Sequence, residues 1–244
     1  MTLAIEAPNS VAEALALLAR EPDRLVVAGG TDVVPALTAG RLAPRPILAL
    51  GRLAELDTAG HTGEGGLFLG ARLTLTRLAQ LSGLVPVLSA AAGFGPPGVL
   101  TAATVAGNVL TDGDLAVVLA ALDATVEIDS TAARRSIPIG DFLADRSGSR
   151  LLPGELVVGV VIPDLSGAAE LERVVLPGHG TRSVLTIAMA RGSTGQRVAL
   201  RAADSIPCPV PTADAVAEYC GTDDYLRHAA GVCARRLLNR LGQR

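Results

Sequence analysis

Two stretches of the chain carry residues suited to holding a phosphorylated ligand. The first reads Val26-Val27-Ala28-Gly29-Gly30-Thr31-Asp32. This is a strand followed by a glycine turn and then a helix, with Thr31 or Asp32 placed to cap it. Successive backbone N–H groups in such a turn form a concave donor surface for an anion. The second stretch runs from Thr101 to Ala124 and begins with Thr104-Val105-Ala106-Gly107-Asn108. A polar turn follows, Thr111-Asp112-Gly113-Asp114, and then an apolar segment with helical spacing. Glycine beside Asn108 lets backbone donors come close to a ligand. A polar turn that opens a helix offers further donors to phosphate. Asp114 is placed to cap that helix, and its carboxylate would keep lone pairs for a ligand.

The remaining candidate chemistries are few. All 21 basic residues are arginine, which excludes a Schiff-base lysine and a phosphate-loop lysine. Cys208, Cys220 and Cys233 are odd in number and contain no Cys-x-x-Cys pair, which argues against a disulfide framework, a zinc site or an iron–sulfur cluster. His61, His179 and His228 fall in unrelated settings: a turn, a glycine loop and the last helix. Gly93-Phe94-Gly95-Pro96-Pro97-Gly98 has the letters of a dinucleotide fingerprint. A helical segment precedes it and two prolines interrupt it, whereas that fingerprint needs a strand before and a helix after. A net charge of −3 and 2% aromatic content give no basis for nucleic-acid binding. No apolar run is long enough for a membrane span. The first residues lack a basic leader, which makes the cytoplasm the expected location.

The elements that must position these residues follow from pattern. Ser10-Val11-Ala12-Glu13 fits a capping box that opens a helix ended by Pro22. A strand over 25–27, a helix over 33–39 and a strand over 46–50 make a compact first unit. Further strands are expected over 67–71, 124–128, 135–137 and 156–162, and helices over 73–81, 85–92, 115–122 and 139–143. Residues 164–168 read as a linker. Strands over 171–176, 184–190 and 197–202 form an antiparallel meander. Asp223 or Asp224 caps a final helix over 225–241.

In this order, the two glycine stretches resemble the flavin subunit of the molybdenum hydroxylases, the carbon monoxide dehydrogenase and xanthine dehydrogenase family. The matching residues are Ala28 to Asp32, Thr104 to Val109, and Asp114-Leu115 continuing to Leu122-Asp123-Ala124. The resemblance implies an α+β fold with two α/β subdomains of the FAD-binding type, about 1–52 and 53–164. A small, shortened C-terminal domain of antiparallel sheet and helix would occupy 165–244. It implies FAD as cofactor, held by Ala28, Gly29, Gly30, Thr31, Asp32, Thr104, Val105, Ala106, Gly107, Asn108, Thr111 and Asp114, with Arg182 near the flavin ring. It also implies two partners, a molybdopterin-binding large subunit and a small subunit with two [2Fe-2S] clusters. The chain would pass electrons from those clusters to an external acceptor and would hold no acid or base acting on the organic substrate.

The chain departs from the family pattern in four places. Ala106 stands where a glycine is usual, and the turn from Thr111 to Asp114 is short. Val99, Leu100 and Thr101 stand where an arginine is common. The segment between Pro211 and Tyr225 is brief. Two other readings share these residues: a flavin-free assembly subunit of the same fold, and a free-standing flavin oxidoreductase.

Overall fold

The computed structural model describes residues 4–81, 86–145, 150–163, 167–177, 183–192, 195–203 and 205–242. Strand β1 (Ile5–Glu6), helix α1 (Val11–Arg20), β2 (Leu25–Val27), α2 (Val33–Thr38) and β3 (Ile47–Ala49) form the first unit. Its sheet is parallel, in the order β1-β3-β2. Parallel strands require crossovers, and α1 and α2 supply them. The Ser10 hydroxyl accepts from the Glu13 N–H at 3.1 Å, as the capping box predicts. The Glu13 carboxylate turns back to the Asn9 N–H, one residue earlier than in the usual reciprocal bond.

The second unit holds β4 (Ala59–His61), β5 (Leu67–Gly70), α3 (Leu75–Gln80), α4 (Pro86–Ala92), α5 (Pro97–Leu100), α6 (Val105–Leu110) and α7 (Asp114–Ala121). It is completed by β6 (Thr125–Asp129), β7 (Arg134–Pro138), α8 (Ile139–Ala144) and β8 (Leu156–Ile162). Its sheet is antiparallel, in the order β4-β5-β8-β6-β7. His61 was expected in a turn and lies instead in β4, paired with Leu67. The Pro-Gly sequence at 97–98 winds into α5, with Pro97 in the first turn where its missing N–H costs nothing.

The last unit contains β9 (Ala168–Val174), β10 (Leu185–Gly192), β11 (Gly195–Ala202), β12 (Cys208–Val210) and α9 (Asp224–Gly242). The expected meander is present, with β12 added at its edge in the order β12-β11-β10-β9. The Asp223 carboxylate caps α9 by accepting from Leu226. The linker expected over 164–168 falls partly outside the described residues.

Helix α7 is the keystone of the packing. Every residue from Leu115 to Ala121 is buried. One side joins the main hydrophobic cluster beneath the second sheet, and α7 also packs against β10 and β11. A helix that is apolar all round must be enclosed on all sides, and the C-terminal sheet provides the last wall. A second cluster, including Leu185, Ile187, Met189, Leu200 and Leu237, binds that sheet to α9. Among the described residues no helix is long and apolar enough to cross a membrane.

Candidate functional site

Gly29 and Gly30 shape the βα turn for different reasons. Gly30 has φ +71°, which only glycine adopts without strain. A Cβ on Gly29 would land on the Ala102 carbonyl oxygen. Its absence lets the turn press against the chain leading into α6. This contact brings together two motifs that lie more than seventy residues apart in sequence. The N–H groups of Gly30, Thr31 and Asp32 donate to no carbonyl or side chain among the described residues. Neither Thr31 nor Asp32 caps α2 with its side chain, as had been expected. Instead the Thr31 hydroxyl donates to the Asp32 carboxylate at 3.1 Å.

The second motif works differently from its sequence reading. Thr104 to Leu110 is a capped helix, and its first donors are already engaged. Val105 donates to Leu73, Ala106 to Ala71, and Asn108 to Thr104 at 2.9 Å. The Gly107 N–H goes to the Thr104 hydroxyl at 3.2 Å. Among the described residues the run of free donors therefore lies in the glycine turn, and α6 with its cap contributes mainly surface and hydroxyls.

Together the motifs enclose a first cleft of about 760 Å³. Ala28, Gly29, Gly30, Thr31, Asp32, Thr104, Ala106, Gly107 and Thr111 all line it. Its far wall, absent from the sequence reading, is Leu151, Glu155, Leu156 and Val157. The rest of the lining is aliphatic, with no arginine. Arg135 donates to both Glu155 oxygens at 2.7 Å, and this pairing holds the carboxyl below its ordinary pKa. Val105 lines neither cleft described here: its side chain is buried in the core behind α6.

A second cleft of about 1010 Å³ shares Thr31, Asp32 and Thr111 with the first. Asn108, Asp112, Gly113, Asp114, Ser183 and Arg201 form its polar side, and Phe94 is its one aromatic residue. Asn108 and Asp114 exchange their expected roles here. The N-cap of α7 is Gly113, and Asp114 makes no capping bond. The Asn108 carboxamide oxygen accepts from the Leu115 N–H at 3.0 Å, so Asn108 caps α7 and leaves its Nδ2 donor available.

Asp114 is instead the node between α7 and the C-terminal sheet. Its Oδ1 accepts from Arg201 at 2.6 Å, Thr186 at 2.7 Å and Ser183 at 2.8 Å. Its Oδ2 accepts from Arg173 at 2.7 Å. Burial by itself would raise the Asp114 pKa. The hydrogen bonds from Arg201, Thr186 and Ser183, with the charge of Arg173, outweigh it and hold the group below its ordinary value. Arg173 also donates to the Ala90 and Ala91 carbonyls and stands 4.6 Å from the Phe94 ring centroid. Arg182 and His179 lie outside the described residues. A possible sequence signal for the node was the pair of inward-facing arginines in β9 and β11, whose partners a linear reading cannot name.

These features define an α+β protein with two adjoining clefts, one lined by free backbone donors and one by paired charges. Residues 1–165 match the model of the FAD binding domain in molybdopterin dehydrogenase, and the chain belongs to that family. Its cofactor is FAD. It is 35% identical over 173 residues to the 6-hydroxypseudooxynicotine dehydrogenase complex subunit alpha of Paenarthrobacter nicotinovorans, a match covering 66% of this chain and 58% of that protein. It is 28% identical over 213 residues to the xanthine dehydrogenase FAD-binding subunit of Escherichia coli O157:H7, covering 83% and 73%. The fold is shared with a chain of carbon monoxide dehydrogenase from Hydrogenophaga pseudoflava. The TM-score there is 0.88 at 21% identity, covering 100% of this chain and 98% of that one. A chain of quinoline 2-oxidoreductase from Pseudomonas putida 86 gives a TM-score of 0.83 at 22% identity, again over 100% and 98%.

Proposed function

We propose that the chain holds one FAD across the two clefts and serves as the electron-transfer subunit of a molybdopterin-dependent hydroxylase. In this reading it works beside a molybdopterin-binding subunit and a [2Fe-2S] subunit, and residues 1–164 form the cofactor domain while 165–244 cover it. Bound FAD would supply the exchange of electrons between those clusters and an external acceptor.

One observation carries this reading: three consecutive residues that line a mainly aliphatic cleft, Gly30 to Asp32, have backbone N–H groups with no partner among the described residues. Unsatisfied backbone donors in such a place are matched by an anion, and a diphosphate is an anion of the right chemistry. With no arginine in the lining, the backbone supplies the attraction, and the hydroxyls of Thr31, Thr104 and Thr111 stand beside it. The aliphatic walls exclude water and strengthen each of those bonds. Ala28, Gly29, Ala106 and Gly107 are small and let the ligand approach the backbone.

The second cleft suits a flat ring. Leu75, Ala91, Val99, Leu100 and Phe94 offer apolar contact, and Asn108 Nδ2 offers a donor. Asp114, with four donors already in place, acts chiefly as a positioning residue that pins the C-terminal sheet where it closes this cleft.

Titration of the apoprotein with FAD, followed by flavin fluorescence, tests the proposal. One FAD per chain with quenched emission is expected. A folded protein that leaves FAD fluorescent and dialysable would end the reading. Co-expression with the two partner subunits tests the complex, and a chain that stays alone beside them would remove that part.

A further inference from the structure

The far wall of the first cleft is a short strap, residues 150–155, fastened at both ends by arginine. Arg150 Nη1 lies 2.9 Å from Asp112 Oδ1. Its Nη2 donates to the Leu143 carbonyl at 3.3 Å, and its guanidinium sits 5.7 Å from the Phe142 ring centroid. Five residues on, Glu155 takes both Arg135 bonds and also accepts from the Leu152 N–H at 2.7 Å. Between the fastenings, Leu151 lines the cleft while Leu152 points outward and is 59% exposed.

The two fastenings differ in what they join. Arg135 belongs to β7, so its bidentate bond to Glu155 ties the strap to the sheet that already carries it. Arg150 reaches a different element. Asp112 lies in the turn between α6 and α7, next to Leu110 and Thr111, which line the cleft opposite the strap. This second fastening is a single contact between partly exposed groups, 14% and 26% by side chain. Asp112 Oδ1 is itself buried and has no hydrogen bond among the described residues, so the contact with Arg150 is an ion pair without aligned hydrogen-bond geometry. Asp112 also sits at φ +57°, a left-handed backbone that Asp and Asn tolerate better than most residues. The turn is three residues from Thr111 to Gly113 before α7 begins, so it has little slack with which to close the cleft by itself. Arg150 closes that side from across the cleft.

We propose that the Arg150–Asp112 ion pair is a latch that holds the strap over the first cleft and sets how fast the dinucleotide enters and leaves. Neither residue lines the first cleft, and Arg150, which lines neither cleft, acts by position; Asp112 also lines the second cleft. The inference rests on the flavin reading. A latch that must open for passage in either direction changes both rates together and leaves the equilibrium alone, whereas a lost ligand contact changes affinity.

Stopped-flow fluorescence of FAD with the full chain tests this, using Asp112→Asn, which keeps the backbone conformation accessible, and Arg150→Gln. Association and dissociation should both accelerate by roughly three- to tenfold in both variants, the scale of a partly screened ion pair, with Kd held within about twofold in Arg150→Gln, whose side chain lines neither cleft. Exchange in the wild type should quicken with added salt, and in the variants it should not. Arg134→Gln, which breaks the ion pair with Asp129 elsewhere on the sheet, should leave both rates unchanged. Unchanged rates in both latch variants would overturn the latch alone. In Arg150→Gln, faster dissociation with a matching loss of affinity would also overturn it, leaving an ordinary structural contact. A folded wild type that takes up no FAD would overturn the flavin reading, and the latch with it.

Discussion

The two clefts meet at Thr31, Asp32 and Thr111, yet they are built on opposite principles. In the first, three consecutive lining residues, Gly30 to Asp32, have backbone donors without partners among the described residues, beside threonine hydroxyls, two carboxylates and aliphatic side chains. In the second, the charged groups are largely paired: Asp114 has four donors, and Arg201 Nη2 reaches both Asp114 and Ser183, while the buried Arg201 Nε alone of that guanidinium has no partner among the described residues. A backbone donor without a protein partner is open to a ligand oxygen. A network in which all but Arg201 Nε of the node is paired is far less open to one. It fixes the position of three strands relative to one helix. The first cleft is thus a recognition surface, and the second is a shape maintained by long-range pairing.

Removing the node is the most severe way to break that contrast. Asp114→Ala leaves Arg173 and Arg201 facing each other without their shared carboxylate, and the loss of stability should be about 3–5 kcal/mol. Denaturant unfolding measures it. A loss of about 1 kcal/mol would instead fit a simple helix cap.

Filling the first cleft should do the reverse, harming binding and sparing the fold. Gly107→Leu places a side chain in the cleft from a helical position where a Cβ meets only the Thr104 hydroxyl. FAD affinity should fall by roughly a hundredfold, about 2.7 kcal/mol, while helix propensity offsets the local crowding. Gly107 is a cleaner probe than Gly30, whose positive φ would turn any substitution into a folding defect. Retained affinity in a folded Gly107→Leu protein would move the dinucleotide out of this cleft.

Acid sharpens the comparison further. The Asp114 and Glu155 carboxyls both have pKa values lowered by the fold. A lowered folded value means that the stability is present above the unfolded pKa, about 3.9–4.3, and is lost as pH falls through the folded one. Unfolding free energy should therefore drop below about pH 4. Asp114→Asn should flatten that drop more than Glu155→Gln does, because the Asp114 node joins separate units and the Glu155 pair lies within one. Equal flattening would erase the distinction between the clefts. The smallest expected effect is that of Asn108→Ala, about 1 kcal/mol of stability for the lost cap, with a further decline in FAD affinity only if Nδ2 meets the ring.

Local chemistry was well written in the sequence. The capping box at Ser10, the strand–glycine turn–helix at Ala28 to Asp32, the three-strand meander and the apolar run of α7 could be read directly, because each depends on neighbours a few residues away. The pairing of the glycine turn with Thr104 to Asn108 was also legible, through resemblance to a family. The donor assignments within that pairing were not. Whether the Ala106 or Gly107 N–H is free depends on the carbonyl of Ala71 and the hydroxyl of Thr104, which only the fold brings near.

Asp114 shows the same limit at longer range. As a sequence position it looked like a helix cap, and Asp is a preferred cap. Its partners stand 59 to 87 residues away, on strands whose register decides which arginine faces inward. Asn108 took over the capping role because α6 and α7 meet at a turn tight enough for its carboxamide to reach Leu115. By itself the sequence determined which segments form helices and strands and where a glycine turn exposes backbone donors, since those depend on local sterics and periodicity. Only the tertiary structure decided which donors stay free, which carboxylate is already paired and which loop closes the cleft, because hydrogen-bond and charge satisfaction are properties of groups that meet across the fold.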